Sequence, residues 1–296
     1  MSEFITTAFV KQYHDTVKHE LQQQQSKLRD LVDVDTLKGK EGFYDFIGAT
    51  EMVEKLTRHT DTPLIDTPHS RRKIWARTFH WADLVDDMDI AKTLTNPTNA
   101  YMQAGLMAAR RKFDTLILAA AIATAYSGVD GATGIPLPAS QKVTIQEGAA
   151  ADTGLTIAKL RKARRIFRAN EVPAEEQLFM ACNADMLDNL LADAKVQSTD
   201  YNSIKALVDG NIDTFMGFKF VHTELLSLDS NSNYAGIAWA KMGIKLAIAQ
   251  DIKTNISVRG DKSNAVQPYI ELQAGSARMD EKRVVEIACK PNWTFA

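Results

Sequence analysis

The sequence predicts an α+β fold, and three observations lead to this prediction. A single helical pattern without an internal proline runs from residue 97 to 126. Strand-sized apolar runs separated by Asn, Asp, Ser and Gly fill the chain from about residue 215 onward. No strand–helix–strand unit repeats along the chain, so a parallel sheet with crossover helices is disfavoured. Helices come first and strands later, which is the α+β arrangement.

The composition is that of an ordinary globular protein. Of 296 residues, 45% are hydrophobic and 24% are charged, which is enough apolar material for a substantial core. The formal net charge of -2 argues against a dedicated nucleic-acid binder and against a polybasic membrane anchor. The two cysteines, Cys182 and Cys289, lie far apart, so we expect buried, reduced thiols rather than a zinc site.

The pattern at 97–126 has the end signals of one continuous helix. Asn96 is a good N-cap, Pro97 suits the first helical position, and Gly128 follows the end. Such a helix would be about 45 Å long. The predicted apolar stripe consists of Met102, Leu106, Ala109, Phe113, Leu116, Ile117, Ala120 and Thr124. The remaining surface carries Arg110, Arg111, Lys112 and Asp114, which meet either solvent or a neighbouring chain.

The N-terminal region predicts a second helix, over residues 9–33, with its apolar side chains on one face. This helix either packs on its own domain or forms an arm that lies across another copy of the chain. The polar and charged residues of 32–42 predict an exposed connector to the next region.

The region 43–90 predicts a long two-stranded ribbon. Residues 43–47 and 52–56 have strand character, and 58–72 has turn chemistry with two Thr-Pro steps. In 74–83, side chains alternate with a period of two, which favours a second extended run. Because an isolated ribbon is marginally stable in water, it should lie against its own subunit or the next one.

The rest of the chain predicts a helix at 156–170, a strand at 177–182 and a helix at 184–192 capped by Asn183. A short strand is expected at 142–146. Further strands are expected at 215–221, 234–239, 243–249, 252–259, 265–274 and 284–287. One side of the 156–170 helix carries five cations, which either contact phosphates or an acidic surface, or form a solvated helix face or inter-subunit salt bridges: Arg161, Lys162, Arg164, Arg165 and Arg168.

Local signatures of catalysis, phosphate binding and dinucleotide binding are missing from the sequence. Asp83, Asp86, Asp87 and Asp89 lack the spacing of a calcium loop, and His69 and His80 have no metal-ligand partner at a recognisable spacing. The sequence therefore predicts a protein that is not an enzyme and has no cofactor or metal.

Three stretches carry a resemblance to a known family. They are RHTDTPLIDTPHSRR at 58–72, the WADLVDDMD that follows, and NPTNAYMQAGLMAARRKFD at the start of the long helix. Together with the closing strands, they resemble the major capsid proteins of tailed bacteriophages, which have the Hong Kong 97-like fold. The resemblance covers essentially the whole chain and implies a structural protein that self-assembles into the head shell around a double-stranded DNA genome.

The resemblance also implies a division of the chain. It consists of an N-terminal arm at 1–42, an extended E-loop at 43–90, a peripheral P-domain at 91–155 and 251–296 that contains the spine helix 97–126, and an axial A-domain at 156–250.

Subunit contacts follow from the same resemblance. The E-loop would lie over the spine helix of an adjacent subunit and bury Trp75, Phe79 and Trp81 there. Arg58, Arg71, Arg72 and Arg77 would seek carboxylates across the seam. Arg110, Arg111 and Lys112 would form the surface of the spine helix at or near this contact.

The implied partners are other copies of the chain, as hexamers and pentamers in a non-covalently closed shell assembled in the bacterial cytoplasm. Because about 40 residues precede the ribbon, we expect a separate scaffolding protein. Further expected partners are a portal, decoration proteins and the packaged DNA. No membrane is expected to be involved. Two alternatives remain at this point. One is an encapsulin-like nanocompartment shell, and the other is a DNA-binding or packaging protein that uses the basic helix 156–170.

Overall fold

A computed structural model of the chain describes residues 22–55, 57–58, 61–62, 64–85, 98–192, 214–229, 231–291 and 293. Helices and strands are both abundant in these ranges, and the predicted α+β class is confirmed. The chain forms two compact units. The first consists of Met1–Gln25, Thr78–Lys112 and Gln250–Gln273, and the second of Ser26–Arg77, Phe113–Ala249 and Ala274–Ala296.

Three long elements contribute to both units. They are the helix α1 (Thr98–Ile122) and the strands β12 (Ile244–Arg259) and β13 (Ala265–Arg278). In the first unit, β4 (Arg77–Ala82) lies beside β13. Gly105 of α1 allows a close approach there, because a Cβ at this position would lie 2.5 Å from the ring of Trp81 and 2.7 Å from Ile270.

A six-stranded sheet forms the main core of the second unit. Its strand order is β7-β14-β11-β8-β10-β9. The strands are β7 (Lys142–Val143), β8 (Leu178–Cys182), β9 (Thr214–Phe215), β10 (Phe218–His222), β11 (Tyr234–Ala240) and β14 (Val284–Cys289). The helices α2 (Ile157–Ala169) and α3 (Ala184–Ala192) belong to the same unit. Asn183 caps α3 as predicted, since its Oδ1 accepts a hydrogen bond from the Met186 N–H at 3.0 Å.

Both cysteines are buried in this sheet, Cys182 at the end of β8 and Cys289 at the end of β14. Burial raises the pKa of the Cys182 thiol to about 12 and that of Cys289 to about 11, from an ordinary value of 9.0. The folded protein therefore keeps both thiols protonated at a pH where the unfolded chain already ionises them.

This difference predicts a loss of stability in alkali. Above about pH 9 the unfolded state releases thiol protons that the folded state retains, so the free energy of unfolding falls as pH rises. Burial lowers the pKa of the Lys159 ammonium, which acts in the opposite direction. Between about pH 8.5 and 10.5, the free energy of unfolding in urea should fall by on the order of 2 kcal/mol more for the wild-type chain than for the Cys182→Ala/Cys289→Ala variant. Parallel pH dependences would contradict this prediction.

A third sheet contains the ribbon. It has the order β2-β3-β5-β6, with β2 (Glu41–Ile47), β3 (His69–Trp75), β5 (Ala125–Ser127) and β6 (Thr133–Ile135). One face of the ribbon packs on a buried cluster of Leu37, Ile74, Ala247 and Met279, to which Tyr44 and Phe46 add their rings. The base of the ribbon is therefore part of the core of the second unit.

The ribbon differs from its prediction in two respects. No strand forms at 51–55, and the predicted run at 74–83 is two strands, because β3 ends at Trp75 and β4 begins at Arg77 in a different sheet. The alternation of residue types in the sequence continues through this change of sheet, so the pattern could not reveal it.

The long helix ends earlier than predicted, at Ile122 rather than 126. Residues 125–127 form β5 instead, and Gly128, with φ of 94°, lies in the turn that joins β5 to β6. Asn96 and Pro97 lie outside the described residues. The buried stripe of the helix also differs from the predicted one, since Thr124 is exposed and Asp114 is fully buried.

The prediction for the N-terminal region is wrong where the structure describes it; residues 9–21 lie outside the described ranges. Instead of a helix to residue 33, the chain forms a 3-10 turn at Arg29–Leu31 and then β1 (Asp33–Thr36). The predicted connector is exposed at 34–36 and 38–41, but part of it is a strand. β1 pairs in parallel with β12, and Val32 and Leu37 on either side are buried. Pairing with an available strand edge outweighed the local polar pattern.

Most other elements agree with their predictions. α2, β8, α3, β11 and β14 form at the expected positions. Residues 243–249 and 252–259 join into the single strand β12, the strand expected at 142–146 is only Lys142–Val143, and 215–221 is a hairpin of β9 and β10. No helix in the described ranges is long and apolar enough to cross a membrane.

Candidate assembly surface

The ribbon of β2 and β3 has two different faces. In the antiparallel register, Asp45 lies opposite Arg71 and Phe43 lies opposite Lys73, on the face turned away from the core cluster. Arg71 binds Asp45 through two hydrogen bonds, of 2.5 Å from Nε and 3.2 Å from Nη2. The Arg71 guanidinium and the Lys73 ammonium both lie over the Phe43 ring, at 5.5 and 5.4 Å.

These cross-strand pairs leave charge on the surface. The hydrogen bond from Arg71 lowers the pKa of Asp45, and the one from Lys73 lowers the pKa of Glu41. Because both carboxylates and Arg71 are more than a third exposed, whereas only Lys73 is largely covered, each pair contributes little to stability, but together they fix the register of the two strands.

The tip that joins β2 to β3 exposes apolar side chains. Leu64 is 100% exposed and Met52 98%, and Ile47, Val53 and Ile65 are also exposed. Arg58 lies in this tip and is exposed as well. Apolar side chains concentrated on an exposed loop mark a contact surface more often than a free one.

The base of the ribbon is fixed by a buried group of charges. Arg72 on β3 is 7% exposed, and its Nη2 donates to both carboxylate oxygens of Glu281, at 2.8 and 2.7 Å. Its Nε donates to the Met279 carbonyl at 3.2 Å. The prediction that Arg72 pairs with a carboxylate of a neighbouring copy is therefore corrected, because Arg72 is buried in a pair within its own chain.

Arg278 approaches the same carboxylate, with its Nε 3.6 Å from Glu281, and it is fully buried. Its guanidinium donates to the carbonyls of Ala121 at 2.9 Å and Ala123 at 2.8 Å, at the C-terminal end of α1, and to Ile135 at 2.8 Å. These bonds satisfy carbonyls that a helix end leaves without partners. Burial lowers the pKa of Arg278, which Glu281 partly offsets.

The predicted aromatic contacts have partners within the chain. The Trp75 and Tyr126 rings meet edge to face with centroids 4.7 Å apart. Phe79 and Trp81 are outside the ribbon, on β4, which corrects the prediction that they belong to it. In the first unit a cleft of about 260 Å³ is lined by Phe79, His80, Trp81, Ala108, Ala109, Lys112, Ile270 and Leu272. Burial of these rings by a neighbouring copy stays a prediction.

The cations of the long helix also have contacts within the chain. Arg110 donates to the Gln24 carbonyl at 3.0 Å, and Arg111 donates to Gln22 Oε1 at 2.7 Å. The Lys112 ammonium lies 4.5 Å from the centre of the Phe79 ring. Arg77 is exposed and is free to face a partner. Contacts of these cations with another subunit remain predictions.

Asp114 was also expected on the exposed surface of the long helix, but it is fully buried. Its Oδ1 accepts hydrogen bonds from the Ser26 hydroxyl at 2.6 Å and the Leu28 N–H at 3.1 Å, and its Oδ2 accepts one from the Lys27 N–H at 3.0 Å. The signal was its spacing, since Asp114 precedes Ile117, Leu118 and Ala121 by three, four and seven residues and so shares their buried face.

Groups that could hold a metal were sought among the described residues, and no cluster of three or more His, Cys, Asp or Glu is present there. Asp86, Asp87 and Asp89 lie outside those residues. The arrangement around the ribbon supports contact between molecules, because its base is held by buried contacts and its tip is exposed.

Comparison with known proteins agrees with this geometry. A family model described as phage capsid protein matches residues 5–291. No curated protein sequence matches the chain.

Three solved phage structures show the same fold. The capsid of cyanophage P-SCSP1u has a TM-score of 0.75 at 16% identity, covering 96% of this chain and 94% of that one. The structure from Mycobacterium phage Che8 has a TM-score of 0.70 at 17% identity, with 94% and 97% covered. The capsid of Ralstonia phage GP4 has a TM-score of 0.71 at 9% identity, with 97% of both chains covered. Since the family model covers nearly the whole chain and the fold agrees, this chain belongs to the phage capsid protein family and is a structural major capsid protein with the Hong Kong 97-like fold.

Proposed function

We propose that copies of this chain form hexamers and pentamers that close into the head shell around a tailed-phage genome, with no reaction chemistry. The observation that carries the proposal is the ribbon. Its base is held by Arg72, Glu281 and a buried apolar cluster, whereas its tip exposes Leu64 and Met52 almost completely. A projection that is rigid at the base and apolar at the tip is suited to grasp a neighbour.

The receiving surface in this proposal is the cleft beside the long helix of the next copy. It is lined mainly by apolar and aromatic side chains, including Phe79, Trp81 and Leu272. The tip of one copy would bury its apolar side chains there, so Phe79 and Trp81 contact a neighbour as the receiving side of the contact. Arg58, Arg71 and Arg77 are exposed or partly exposed and would surround it with positive charge, which sets specificity more than strength.

Closure follows from repetition of one contact. A heterologous contact that is repeated by rotation closes into a ring, and linked rings close into a shell. Each contact can be modest because every subunit is held on several sides. Within this proposal, 1–42 is the arm, 43–90 the E-loop, 91–155 and 251–296 the P-domain, and 156–250 the A-domain. A scaffolding protein, a portal, decoration proteins and the packaged DNA would be its partners during assembly in the host cytoplasm.

Excision of the tip tests the proposal. Residues 50–66 would be replaced by a short Gly-Ser turn, which leaves β2, β3 and the ion pairs of the base intact. We expect a soluble, folded subunit with a circular dichroism spectrum like that of the wild type, but no closed shells by negative-stain electron microscopy. The wild-type protein should form closed shells under the same conditions.

A matched pair of point variants tests whether a new charge blocks assembly only when it is placed in the tip. Leu64→Asp introduces a charge at a side chain that is 100% exposed, and Val129→Asp does the same at one that is 80% exposed in the β5–β6 turn. Only Leu64→Asp should prevent closure. Normal shells from both the excised chain and Leu64→Asp would contradict the proposal.

A further inference from the structure

One face of α2 concentrates positive charge that the proposed ribbon contact does not use. Arg161, Arg165 and Arg168 are exposed, and none of their guanidinium groups makes an ion pair or hydrogen bond with any residue within the described ranges. Lys162 and Arg164 add two further cations to the same open groove. Glu147 is the one carboxylate in its described lining, 3.8 Å from the Lys162 ammonium. The groove is therefore strongly positive in a chain whose net charge is -2.

The opposite face of α2 holds this charge on a rigid support. Leu160, Ala163 and Phe167 are buried, and the Thr156 hydroxyl caps the helix by accepting a hydrogen bond from the Lys159 N–H. The Lys159 ammonium is itself buried and donates to the carbonyls of Thr153, Gly154 and Ala288 at 2.7, 2.8 and 2.9 Å. The exposed arginines are therefore presented from a helix that is fixed at its first turn and along its inner face.

The β9–β10 turn completes the groove. Gly217 has φ of 83°, and a Cβ there would lie 2.2 Å from Arg164 Nη1. The absence of a side chain thus lets the Arg164 guanidinium lie across the turn, where it donates to the Gly217 carbonyl at 3.4 Å. This contact holds one cation at the edge of the groove and leaves the other arginines open.

We propose that this face of α2 binds the phosphates of duplex DNA and is a surface by which the subunit contacts the packaged genome. Arginine forms paired hydrogen bonds with phosphate oxygens. Arg168 lies seven residues after Arg161, with Arg165 between them, which is about 10 Å of helix at about 1.5 Å per residue. Duplex DNA presents one negative charge per roughly 1.7 Å of its axis, so this length faces about six charges. The inference rests on the proposed function, in which the shell encloses DNA.

The composition of the face favours DNA over an acidic segment of another copy. Protein interfaces have centres depleted of charge and enriched in aromatic residues. The exposed residues of α2 on this face are Arg161, Arg165, Arg168 and Ala169, and the one large apolar side chain in the described lining of the groove, Met216, is only partly exposed. It also lacks the aromatic side chains on which single-stranded bases stack, so we expect binding to the duplex backbone, independent of sequence.

The test measures binding of the unassembled full-length protein to a fluorescein-labelled 24-base-pair duplex of arbitrary sequence, by fluorescence anisotropy. The variant is Arg161→Glu/Arg165→Glu/Arg168→Glu. The control, Lys38→Glu/Lys40→Glu/Lys241→Glu, makes the same change in net charge at three exposed lysines elsewhere. Circular dichroism verifies that both variants are folded.

At about 50 mM salt we expect the α2 variant to bind the duplex at least about 30-fold more weakly than the wild type, and the control less than about 3-fold more weakly. The slope of log affinity against log salt should fall by about 2 to 3 in the α2 variant alone, because each lost phosphate contact removes about 0.9. Equal losses in both variants would overturn the inference. So would unchanged DNA binding with a loss of shells in the α2 variant, which would make this face an interface between copies. Wild-type protein that forms no shells would instead count against the proposed function, whatever its affinity for DNA.

Discussion

Replacing Arg278 by leucine is expected to lower the free energy of unfolding by about 3 to 5 kcal/mol. The guanidinium is fully buried and donates to three carbonyls, of which Ala121 is in the last turn of α1 and Ala123 directly follows the helix. Leucine fills part of the volume but leaves those carbonyls without their donors, and it leaves Glu281 with Arg72 alone. A lost partner for a buried acceptor costs about 1 to 3 kcal/mol, so the sum is a large fraction of the stability of a domain.

Arg259→Leu is the matched control, because it makes the same chemical change at an ion pair whose partners are 43% and 56% exposed. A pair of this kind contributes at most about 1 kcal/mol. Urea unfolding of the unassembled subunits, followed by tryptophan fluorescence, measures both effects. Hydrogen exchange adds a local measurement. Amides at the end of α1 and in β5 should exchange faster in Arg278→Leu, and their exchange rates should be unchanged in Arg259→Leu. Equal destabilisation by the two substitutions would contradict the prediction, because the buried hydrogen bonds of Arg278 would then contribute no more than an exposed ion pair.

Arg278 also shows what the sequence could not predict. Its charge favours solvent, and the last-turn signals of a helix, Tyr126 followed by Gly128, predicted an end several residues later than the observed one. The helix ends at Ile122 because a cation from β13, distant in sequence, supplies the donors that its last carbonyls need. Such a long-range cap leaves no local pattern.

The change of sheet at Ala76 was hidden for a different reason. β3 and β4 are both strands, and the alternation of residue types in the sequence runs through the junction, although the covered side chains change from the even positions Arg72 and Ile74 to the odd positions Phe79 and Trp81. The alternating pattern therefore predicted an extended chain correctly, but it could not show to which sheet each part belongs. By contrast, α2, β8 and α3 were predictable because their local periodicity, caps and burial agree with one another.

The same contrast applies to the candidate contact surface. The sequence indicates 58–72 as the turn of a projecting ribbon, and the exposed tip supports that interpretation, although the strand expected at 52–56 does not form at 51–55. The sequence could not distinguish arginines that face a partner from those used internally, since Arg71 and Arg72 are adjacent in sequence but only Arg72 is buried. The alternation of a strand places these two side chains on opposite faces of the ribbon, and which face is buried depends on Leu37, Ala247 and Met279 from elsewhere in the chain.

Asp114→Asn is expected to release the segment around residues 26–28 from the long helix. The carboxylate accepts three hydrogen bonds from this segment, from one hydroxyl and two backbone N–H groups. An amide offers one acceptor oxygen instead of two and directs an NH₂ group at a backbone donor. Hydrogen bonds to a charged group contribute about 1.5 to 3 kcal/mol, and unfavourable donor–donor contacts add to their loss. We therefore expect a cost of about 2 to 4 kcal/mol, concentrated at this contact.

Limited proteolysis provides a direct measurement, because Lys27 and Arg29 are trypsin sites within or beside the anchored segment. Cleavage there requires the backbone to leave its hydrogen bonds, so its rate follows the population of the opened segment. In Asp114→Asn the rate should rise by at least about 10-fold, as 1.4 kcal/mol corresponds to a factor of ten. Asp130→Asn, an exposed position in the β5–β6 turn, is the control and should leave the rate unchanged. An unchanged rate in Asp114→Asn would mean that Leu28 and Val32, which are also buried, hold the segment without the carboxylate.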